Sequence, residues 1–402
     1  MLALLNRSNR WLMLAVFLLA LGYGMWMNLR PLYLERLGAT PEQVGAVLGL
    51  VALAGAVLPI PAGLLADRIG PKRIMIAGYC AAGLGAAMAA FAPTWQVAGL
   101  GLAVFMLVFA SNPASAALVM HHASQGHTGT QTSRIMAIVY ASWPAAMVFA
   151  PLLGGALADR FGLPVVFALG ALLIFVAAGV LTRTTDAIPA RGAPRPSPRM
   201  LLKYKGFLTL AVFFPLVIFG ANLGSVLAPN FLETTRGLSL AVIGLLFSVL
   251  SIGTLLFNAM VGRMPMPRLV GLLLIAQIAG MAILILFQPV WILSVAFLLM
   301  GTLPTIWVVA QAGYGQSVPA SQRGIALGIT ESLASVAVAV ASVTAGQLFD
   351  RTPTHEGPFV AAILVLAGLL LALIVLPALR RAVTPPQQVR AEPLPVAASA
   401  AD

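Results

Sequence analysis

Charged side chains are scarce in this sequence. Only 8% of its 402 residues are Asp, Glu, Lys or Arg, whereas 60% are hydrophobic. Water-soluble domains carry roughly a quarter charged residues, so the composition excludes a soluble fold of this length. The protein is therefore predicted to lie in a lipid bilayer, where the unit of organisation is a run of about 20 apolar residues.

Cysteine and histidine are also rare. The single cysteine, Cys80, lies inside an apolar run, which excludes an intrachain disulfide and a cysteine metal site. The four histidines lie at or beyond the ends of apolar runs, without the spacing that a metal site requires. We therefore expect no metal and no cofactor. The absence of clustered His, Asp or Glu at a span end argues against a membrane enzyme, and the absence of G-x-x-x-x-G-K-[ST] argues against a nucleotide-driven pump.

Charges and Pro or Gly breaks divide the apolar sequence into twelve predicted spans. Each is apolar on all sides and is predicted to be an α-helix, because a helix satisfies its own backbone in hydrocarbon. The first is longer than a signal-peptide core and lacks a cleavage site after it, so we interpret it as an uncleaved span. The predicted spans are 11–30, 43–66, 74–92, 96–120, 135–158, 163–182, 206–229, 240–262, 269–288, 291–316, 324–348 and 358–379.

The basic residues predict which side of the membrane each loop faces. With both termini cytoplasmic, only five of the 23 Lys and Arg residues fall on the outer side: Arg30, Arg36, Arg160, Arg236 and Arg351. All the others lie in cytoplasmic segments, as the positive-inside rule requires. Because topology explains the net charge of +12, binding to nucleic acid is not expected.

The two halves of the chain repeat. Pro31–Glu35 is echoed by Pro229–Glu233, and Gly155–Arg160 is echoed by Gly346–Arg351. Two parallel six-span repeats are typical of a transporter whose site lies between them. The predicted units are a six-helix bundle at 1–183, a cytoplasmic linker at 184–205, a second bundle at 206–381 and a disordered cytoplasmic tail at 382–402. In the second echo, Asp159 and Asp350 each precede an arginine, which predicts local pairing at a helix end.

A charged turn between spans 2 and 3 is the most distinctive stretch, and it follows the pattern G-x-L-x-D-R-x-G-x-K/R-R. The matching residues are Gly63, Leu65, Asp67, Arg68, Gly70, Lys72 and Arg73. By this turn and its position the chain resembles the major facilitator superfamily, up to about residue 380. The resemblance implies an all-α polytopic membrane protein with twelve transmembrane helices in two pseudo-symmetric six-helix bundles. It also implies secondary active transport by alternating access.

The resemblance further implies that the charged turn is a cytoplasmic gate. Asp67 would face the amino end of span 11, just after Arg323, where the helix dipole and free N–H groups stabilise a carboxylate. That contact would close the cytoplasmic side in the outward-facing state. The alternative for Arg68, Lys72 and Arg73 is that they only anchor the loop under the positive-inside rule.

Glu331 is the clear case of an ionisable residue within a span, about two turns into span 11. Such groups are costly in hydrocarbon and indicate function. A carboxyl group here could take up and release a proton, as proton-coupled transport requires. The alternative is a structural hydrogen bond near the cytoplasmic mouth, with Arg134 or Arg323.

Polar and aromatic residues within the spans predict a mildly polar central cavity. Arg30 could contact an anionic substrate or Glu35, or extend outward to water. With almost no fixed charge, this cavity suits neutral or amphipathic organic solutes better than phosphates. The candidates are Tyr23, Trp26, Asn28, Arg30, Asn112, Tyr140, Trp143, Asn222, Asn258, Trp307, Gln311 and Tyr314.

Taken together, these features predict a monomeric transporter in the cell membrane that exports an apolar or amphipathic compound in exchange for protons. The alternative is a proton symporter or a uniporter for a sugar or another small metabolite. The expected partners are the small-molecule substrate, protons and the lipid bilayer.

Overall fold

The computed structural model describes residues 5–57, 70–124, 129–186, 198–319 and 322–376, together with residues 379, 381 and 383. Regular secondary structure within these ranges is entirely helical. Among the described residues, ten helices are long and apolar enough to cross a membrane, and the shorter apolar helices Pro41–Val57 and Trp95–Phe109 supply spans 2 and 4. The prediction of an all-α membrane protein with twelve spans is therefore confirmed.

The first six spans run from Arg7 to Leu181. Span 1 continues at the predicted outer side ("outer" below) into a short helix, and span 4 changes to a 3₁₀ helix in its middle. The helices are Arg7–Trp26 and Arg30–Arg36 for span 1, Pro41–Val57 for span 2, Pro71–Ala90 for span 3, Trp95–Phe105, Met106–Ser111 and Asn112–Ser124 for span 4, Gly129–Tyr140 and Ser142–Phe161 for span 5, and Leu163–Leu181 for span 6.

The last six spans run from Lys205 to Val375. A 3₁₀ helix, Pro198–Lys203, precedes them within the predicted linker, and span 7 ends in a π-helical turn. The helices are Lys205–Leu223, Ala228–Asn230 and Phe231–Thr235 for span 7, Leu240–Asn258 for span 8, Met266–Leu286 for span 9, Val290–Met300 and Thr302–Gln316 for span 10, Arg323–Arg351 for span 11, and Gly357–Val375 for span 12.

The internal repeat is visible in the backbone. Gly38, after the short outer helix of span 1, has φ +92°, and Gly237, after the outer end of span 7, has φ +65°. Residues with a Cβ rarely adopt this left-handed conformation, so glycine is needed at both turns. The two halves thus turn from an odd to an even span in the same way.

Aromatic packing joins spans 1, 4 and 6 of the first half. Trp26 is fully buried, and its ring centroid lies 4.8 Å from that of Phe105 and 5.0 Å from that of Phe167. These rings join spans 1, 4 and 6 in edge-on and offset arrangements that aromatic pairs prefer. Tyr23 stacks on Phe105 at 4.9 Å.

Two close helix crossings join the halves on the outer side: span 5 crosses span 8, and span 2 crosses span 11. A Cβ at Gly155 would overlap the Leu240 carbonyl oxygen and lie 3.0 Å from the Cα of Gly244. In the other crossing, a Cβ at Gly346 would lie 2.5 Å from the Pro41 carbonyl oxygen and 3.2 Å from the Cα of Gly45. Small residues let backbones approach in this way. The outer side is therefore closed.

Candidate transport site and gates

Glu331 lies beside span 10, within the second half. Its Oε2 accepts hydrogen bonds from Trp307 Nε1 and Gln311 Nε2, both at 3.1 Å. The two donors are one helical turn apart on span 10, so they reach the same oxygen from one face. Among the described residues, Oε1 receives no hydrogen bond, which leaves it available to a proton or a ligand.

A small cleft of about 10 Å³, roughly the space that one water molecule needs, lies beside Glu331. Spans 7, 10 and 11 form it, and Glu331 is the one charged residue among the described residues that line it. Tyr314 is fixed at its wall because its hydroxyl donates to the Leu210 carbonyl oxygen at 3.3 Å. The lining residues are Ile218, Trp307, Ala310, Gln311, Tyr314, Thr330, Glu331 and Ala334.

The structure brings four residues predicted from the sequence into one site: Trp307, Gln311, Tyr314 and Glu331. The partners expected under the structural alternative for Glu331 do not bind it. Arg134 and Arg323 are exposed, and the carboxylate is bound by the indole and amide of span 10 instead.

The other described cavity candidates are not among the residues that line this cleft, and their role in a cavity stays a prediction. Tyr23 and Trp26 belong to the aromatic packing of the first half, and Trp143 lies beside Tyr23. Asn222 donates to the Ile218 carbonyl oxygen of its own helix at 2.8 Å. The remaining candidates are Asn28 and Arg30 at the outer end of span 1, the exposed Tyr140, Asn258 at the end of span 8, and Asn112, whose side chain lies outside those described.

The predicted cytoplasmic gate falls largely outside the described residues, which do not include Gly63, Leu65, Asp67 or Arg68. The part of the gate that the structure describes begins at Gly70, which has φ +95° and precedes Pro71, the first residue of span 3. The Lys72 ammonium donates to the carbonyl oxygens of Thr182, at 2.9 Å, and Thr184. Lys72 therefore binds the carboxyl end of span 6, where the helix dipole favours a cation. Arg73 is exposed.

Asp159 at the outer end of span 5 binds the opposite half. Its Oδ1 accepts the backbone N–H of Leu240 and its Oδ2 that of Ala241, each at 2.9 Å. Leu240 begins span 8, and Ser239 accepts the next free N–H, from Val242, at 3.4 Å. The three N–H groups that open span 8 are therefore all bonded.

The prediction of local pairing at Asp159 and Asp350 was wrong. Asp159 bonds across to span 8, while Arg160 lies over the Phe161 ring, 5.5 Å from its centroid. Asp350 makes no ion pair with Arg351; within the described ranges, the ion pair that forms is that of Arg36 with Glu233. The helix dipole and free N–H groups outcompete a neighbouring arginine that water already solvates.

Span 2, which span 11 crosses, caps its own amino end. Thr40 Oγ1 accepts the backbone N–H of Gln43 at 3.3 Å, and Gln43 Oε1 accepts that of Thr40 at 2.9 Å. This reciprocal pair is a capping box. Pro41 follows the cap and has no N–H, so fewer donors are left for Asp350 than Asp159 finds on span 8.

The repeat-related Glu35 and Glu233 approach each other between the two crossings. Arg36 Nη2 contacts Glu233 Oε1 at 2.6 Å. Burial raises the pKa of the Glu35 carboxyl, and the charge of Glu233 raises it further, while Asn230 and His355 act in the opposite direction. Glu35 lies beyond the membrane-crossing helix Arg7–Trp26, in the short outer helix that follows it, and Glu233 lies in the last turn of span 7.

Two features were missed in the sequence. Ile218, Ala310, Thr330 and Ala334 line the cleft, but small and apolar residues carry no signal that separates them from packing residues. The contact of Asp159 with the opposite half could have been predicted, because Gly155–Arg160 has the same G-x-L-x-D-R pattern as Gly63–Arg68. In that turn the aspartate was already predicted to bind a helix end of the other half.

The chain is similar to known proteins over most of its length. The sequence profile of the Major Facilitator Superfamily matches residues 12–264 and 209–400. Quinolone resistance protein NorA of Staphylococcus aureus is 25% identical over 385 residues, which cover 89% of this chain and 94% of NorA.

Solved structures with the same fold include two transporters. The crystal structure of the nucleoside transporter NupG aligns with a TM-score of 0.74 and 14% identity, covering 94% of this chain and 99% of that one. A bacterial homologue of the human lysosomal transporter Spinster, inward-facing and occupied, aligns with a TM-score of 0.68 and 17% identity, covering 93% and 94%.

Proposed function

Because the chain belongs to the Major Facilitator Superfamily, we propose that it exports a small apolar or amphipathic compound in exchange for protons, with Glu331 as the coupling residue. The observation that carries this proposal is the carboxylate held by Trp307 and Gln311 in an otherwise uncharged cleft. The membership itself establishes a multi-pass membrane transporter. We place it in the cell membrane as a monomer, with both termini cytoplasmic.

The lining of the cleft supports an amphipathic substrate. Trp307 and Tyr314 offer ring faces and edges, Ile218 and Ala334 offer aliphatic surface, and no lysine or arginine is among the described lining residues. Sites for phosphates or dicarboxylates need cations. At about 10 Å³, the cleft is far below the roughly 300 Å³ of a drug-sized site, so spans 7, 10 and 11 would have to move apart to admit a solute.

The geometry at Glu331 supports proton coupling. Hydrogen bonds to a charged acceptor contribute about 1.5–3 kcal/mol, against about 1 kcal/mol for neutral pairs. Protonation at Oε1 would therefore weaken both bonds from span 10 and change how span 11 is held against it. A substrate group in the cleft competes for the same carboxylate, which links solute binding to proton release.

The closed outer crossings support an inward-facing state, in which the substrate enters from the cytoplasm. The cytoplasmic start of span 11, at Arg323 and Gly324, is exposed. We propose that residues 1–183 and 206–381 move as two bundles joined by the linker 184–205, followed by the tail 382–402. In the outward-facing state Asp67 would bind the exposed start of span 11.

The direction of transport rests on a relative. A membrane transporter confers drug resistance by lowering the concentration of the drug inside the cell, and NorA is named for quinolone resistance. Quinolones are aromatic and amphipathic, which agrees with the cleft at Glu331. We therefore propose export rather than uptake.

The test is transport of a fluorescent quinolone into proteoliposomes under imposed pH gradients. Antiport predicts accumulation with an acid interior, because outward proton flow then drives solute inward. A symporter would require an acid exterior, and a uniporter would ignore the gradient. Protein-free liposomes correct for trapping of the quinolone as a weak base.

Glu331→Gln tests the coupling residue. We expect at least a tenfold loss of gradient-driven accumulation, with solute exchange in the absence of a gradient retained. Glu356→Gln, which removes a carboxylate from the loop before span 12, is the matched control and should behave like the wild type. A Glu331→Gln protein that still responds fully to the gradient would refute the assignment.

A further inference from the structure

We infer that Asp159 is an electrostatic clamp that holds the outer side closed by binding span 8 of the opposite half. Its two carboxylate oxygens take the first two N–H groups of that helix, at 2.9 Å each. Nothing in the transport chemistry at Glu331 requires this contact. Its consequence is conformational, since it exists only while spans 5 and 8 are together.

The amino end of span 8 is an unusually complete site for a carboxylate. Ser239 satisfies the N–H of Val242 alone, so Leu240 and Ala241 would leave two donors without a partner in the same chain segment. These groups carry the positive end of the helix dipole. A carboxylate that accepts both N–H groups forms stronger hydrogen bonds than the water it replaces. This advantage stabilises the closed state only if the carboxylate is already held in position.

Glycine packing supplies that position. Gly155 lies one helical turn before Asp159, and it contacts the backbone of Leu240 and Gly244 with no space for a Cβ. The crossing therefore delivers the carboxylate to the helix end without ordering a long side chain. When the outer side opens, the same rigid-body movement removes the acceptor from both donors together.

The other outer crossing offers an internal control. Asp350 occupies the same place in Gly346–Arg351, and Gly346 packs as closely against span 2. Span 2, however, is capped by Thr40 and Gln43 and begins with Pro41, and no hydrogen bond to Asp350 is present among the described residues. A general effect of negative charge at the outer surface would act at both aspartates, whereas a clamp acts at Asp159 alone.

The test measures the outer opening directly, independent of which solute is carried. Spin labels at Val165→Cys and Thr235→Cys, in a Cys80→Ser background, report the distance between the halves by pulsed electron spin resonance. We expect Asp159→Ala to raise the ratio of outer-open to outer-closed molecules by about tenfold, the equivalent of about 1.4 kcal/mol. Asp159→Asn keeps the shape and should give a smaller shift in the same direction, and Asp350→Ala should give none.

The clamp is refuted if folded Asp159→Ala and Asp159→Asn proteins keep the wild-type distance distribution, or if Asp350→Ala shifts it equally. Asp159→Asn keeps the shape of the side chain and should therefore fold even if Asp159→Ala does not. Size-exclusion chromatography in detergent checks the folding of each variant. Failure of quinolone transport in the wild type would reject the proposed substrate and leave this distance measurement intact. Conversely, if the Asp159→Asn protein responds normally to the pH gradient, proton coupling at Glu331 does not depend on the clamp at Asp159.

Discussion

The two outer crossings share their packing and differ in their electrostatics. In each, a glycine of one half lies against the backbone of the other: Gly155 against span 8 and Gly346 against span 2. Each glycine is followed one turn later by an aspartate. Of the two aspartates, Asp159 alone binds the facing helix. Both facing helices have a local cap, but span 8 leaves two N–H groups free, whereas span 2 begins with Pro41, which has none to offer.

The difference teaches that the repeat preserves close packing more strictly than polar contacts. A close helix crossing fixes which residues are small, since backbone atoms cannot move aside. A helix end can be satisfied from its own segment or from another, and both solutions are of similar energy. One crossing could therefore gain a carboxylate bound to a helix end of the other half, while at the other crossing the helix end is capped locally and the halves meet through Gln347, which donates to Glu42 at 3.4 Å.

The largest effects on closure of the outer side should come from replacing the glycines at the two helix crossings with alanine. Gly155→Ala and Gly45→Ala each place a Cβ against a carbonyl oxygen of the opposite half, and overpacking costs typically about 1–3 kcal/mol. We expect both to open the outer side to a similar extent in the spin-label measurement. Gly368→Ala, whose Cβ would have no described atom within 4 Å, is the control. An effect at one crossing alone would contradict the shared packing.

A smaller effect should separate the two helix caps. Thr40→Ala removes the local cap of span 2 and should cost about 1 kcal/mol of stability, seen as a lower midpoint of thermal unfolding in detergent. Ser239→Ala should cost less, because Asp159 still bonds two N–H groups of span 8 and the lost bond is long, at 3.4 Å. If both variants lower the unfolding midpoint equally, the two hydrogen bonds from Asp159 do not stabilise the amino end of span 8.

The smallest effect should be a pH dependence from Glu35, between the crossings. Its pKa is raised in the closed state by burial and by Glu233. The closed state thus holds the proton more tightly than an open state in which water solvates Glu35. Lowering the outer pH should therefore favour the closed state, and raising it should favour opening.

The spin-label distances recorded against pH test this sign. Glu35→Gln should remove most of the dependence, while Glu356→Gln should not. His355, which lowers the pKa of Glu35, and the Arg36–Glu233 pair face the same carboxyl, so His355→Gln should move the transition upward. Closure that strengthens as the pH rises would contradict the assignment.

Much of the fold could be predicted from the sequence. Long apolar runs with charged loops specify spans, because hydrocarbon tolerates few alternatives to a helix. The repeat at Pro31–Glu35 and Pro229–Glu233 predicted equivalent outer ends, and the glycine turns at Gly38 and Gly237 bear this out. Breaks within spans, such as the 3₁₀ segment Met106–Ser111, had no clear signal, since they depend on packing against neighbours.

The candidate site was predictable in part. Glu331 stands out because a carboxylate in a span is costly, and Trp307, Gln311 and Tyr314 stand out as polar or aromatic members of span 10. Their convergence could not be predicted, because it depends on the rotation of span 10 against span 11. The arginines expected as partners of Glu331, Arg134 and Arg323, are exposed instead.

The sequence by itself determined the membrane environment, the spans, the repeat and the presence of an acidic group in span 11. These follow from composition and spacing, which act on each segment separately. Only the tertiary structure decided which donors hold Glu331, and that Asp159 closes one crossing while Asp350 does not. The physical reason is that such contacts depend on which N–H groups remain free once each helix end has met its own neighbours, and that is settled only when the two halves pack.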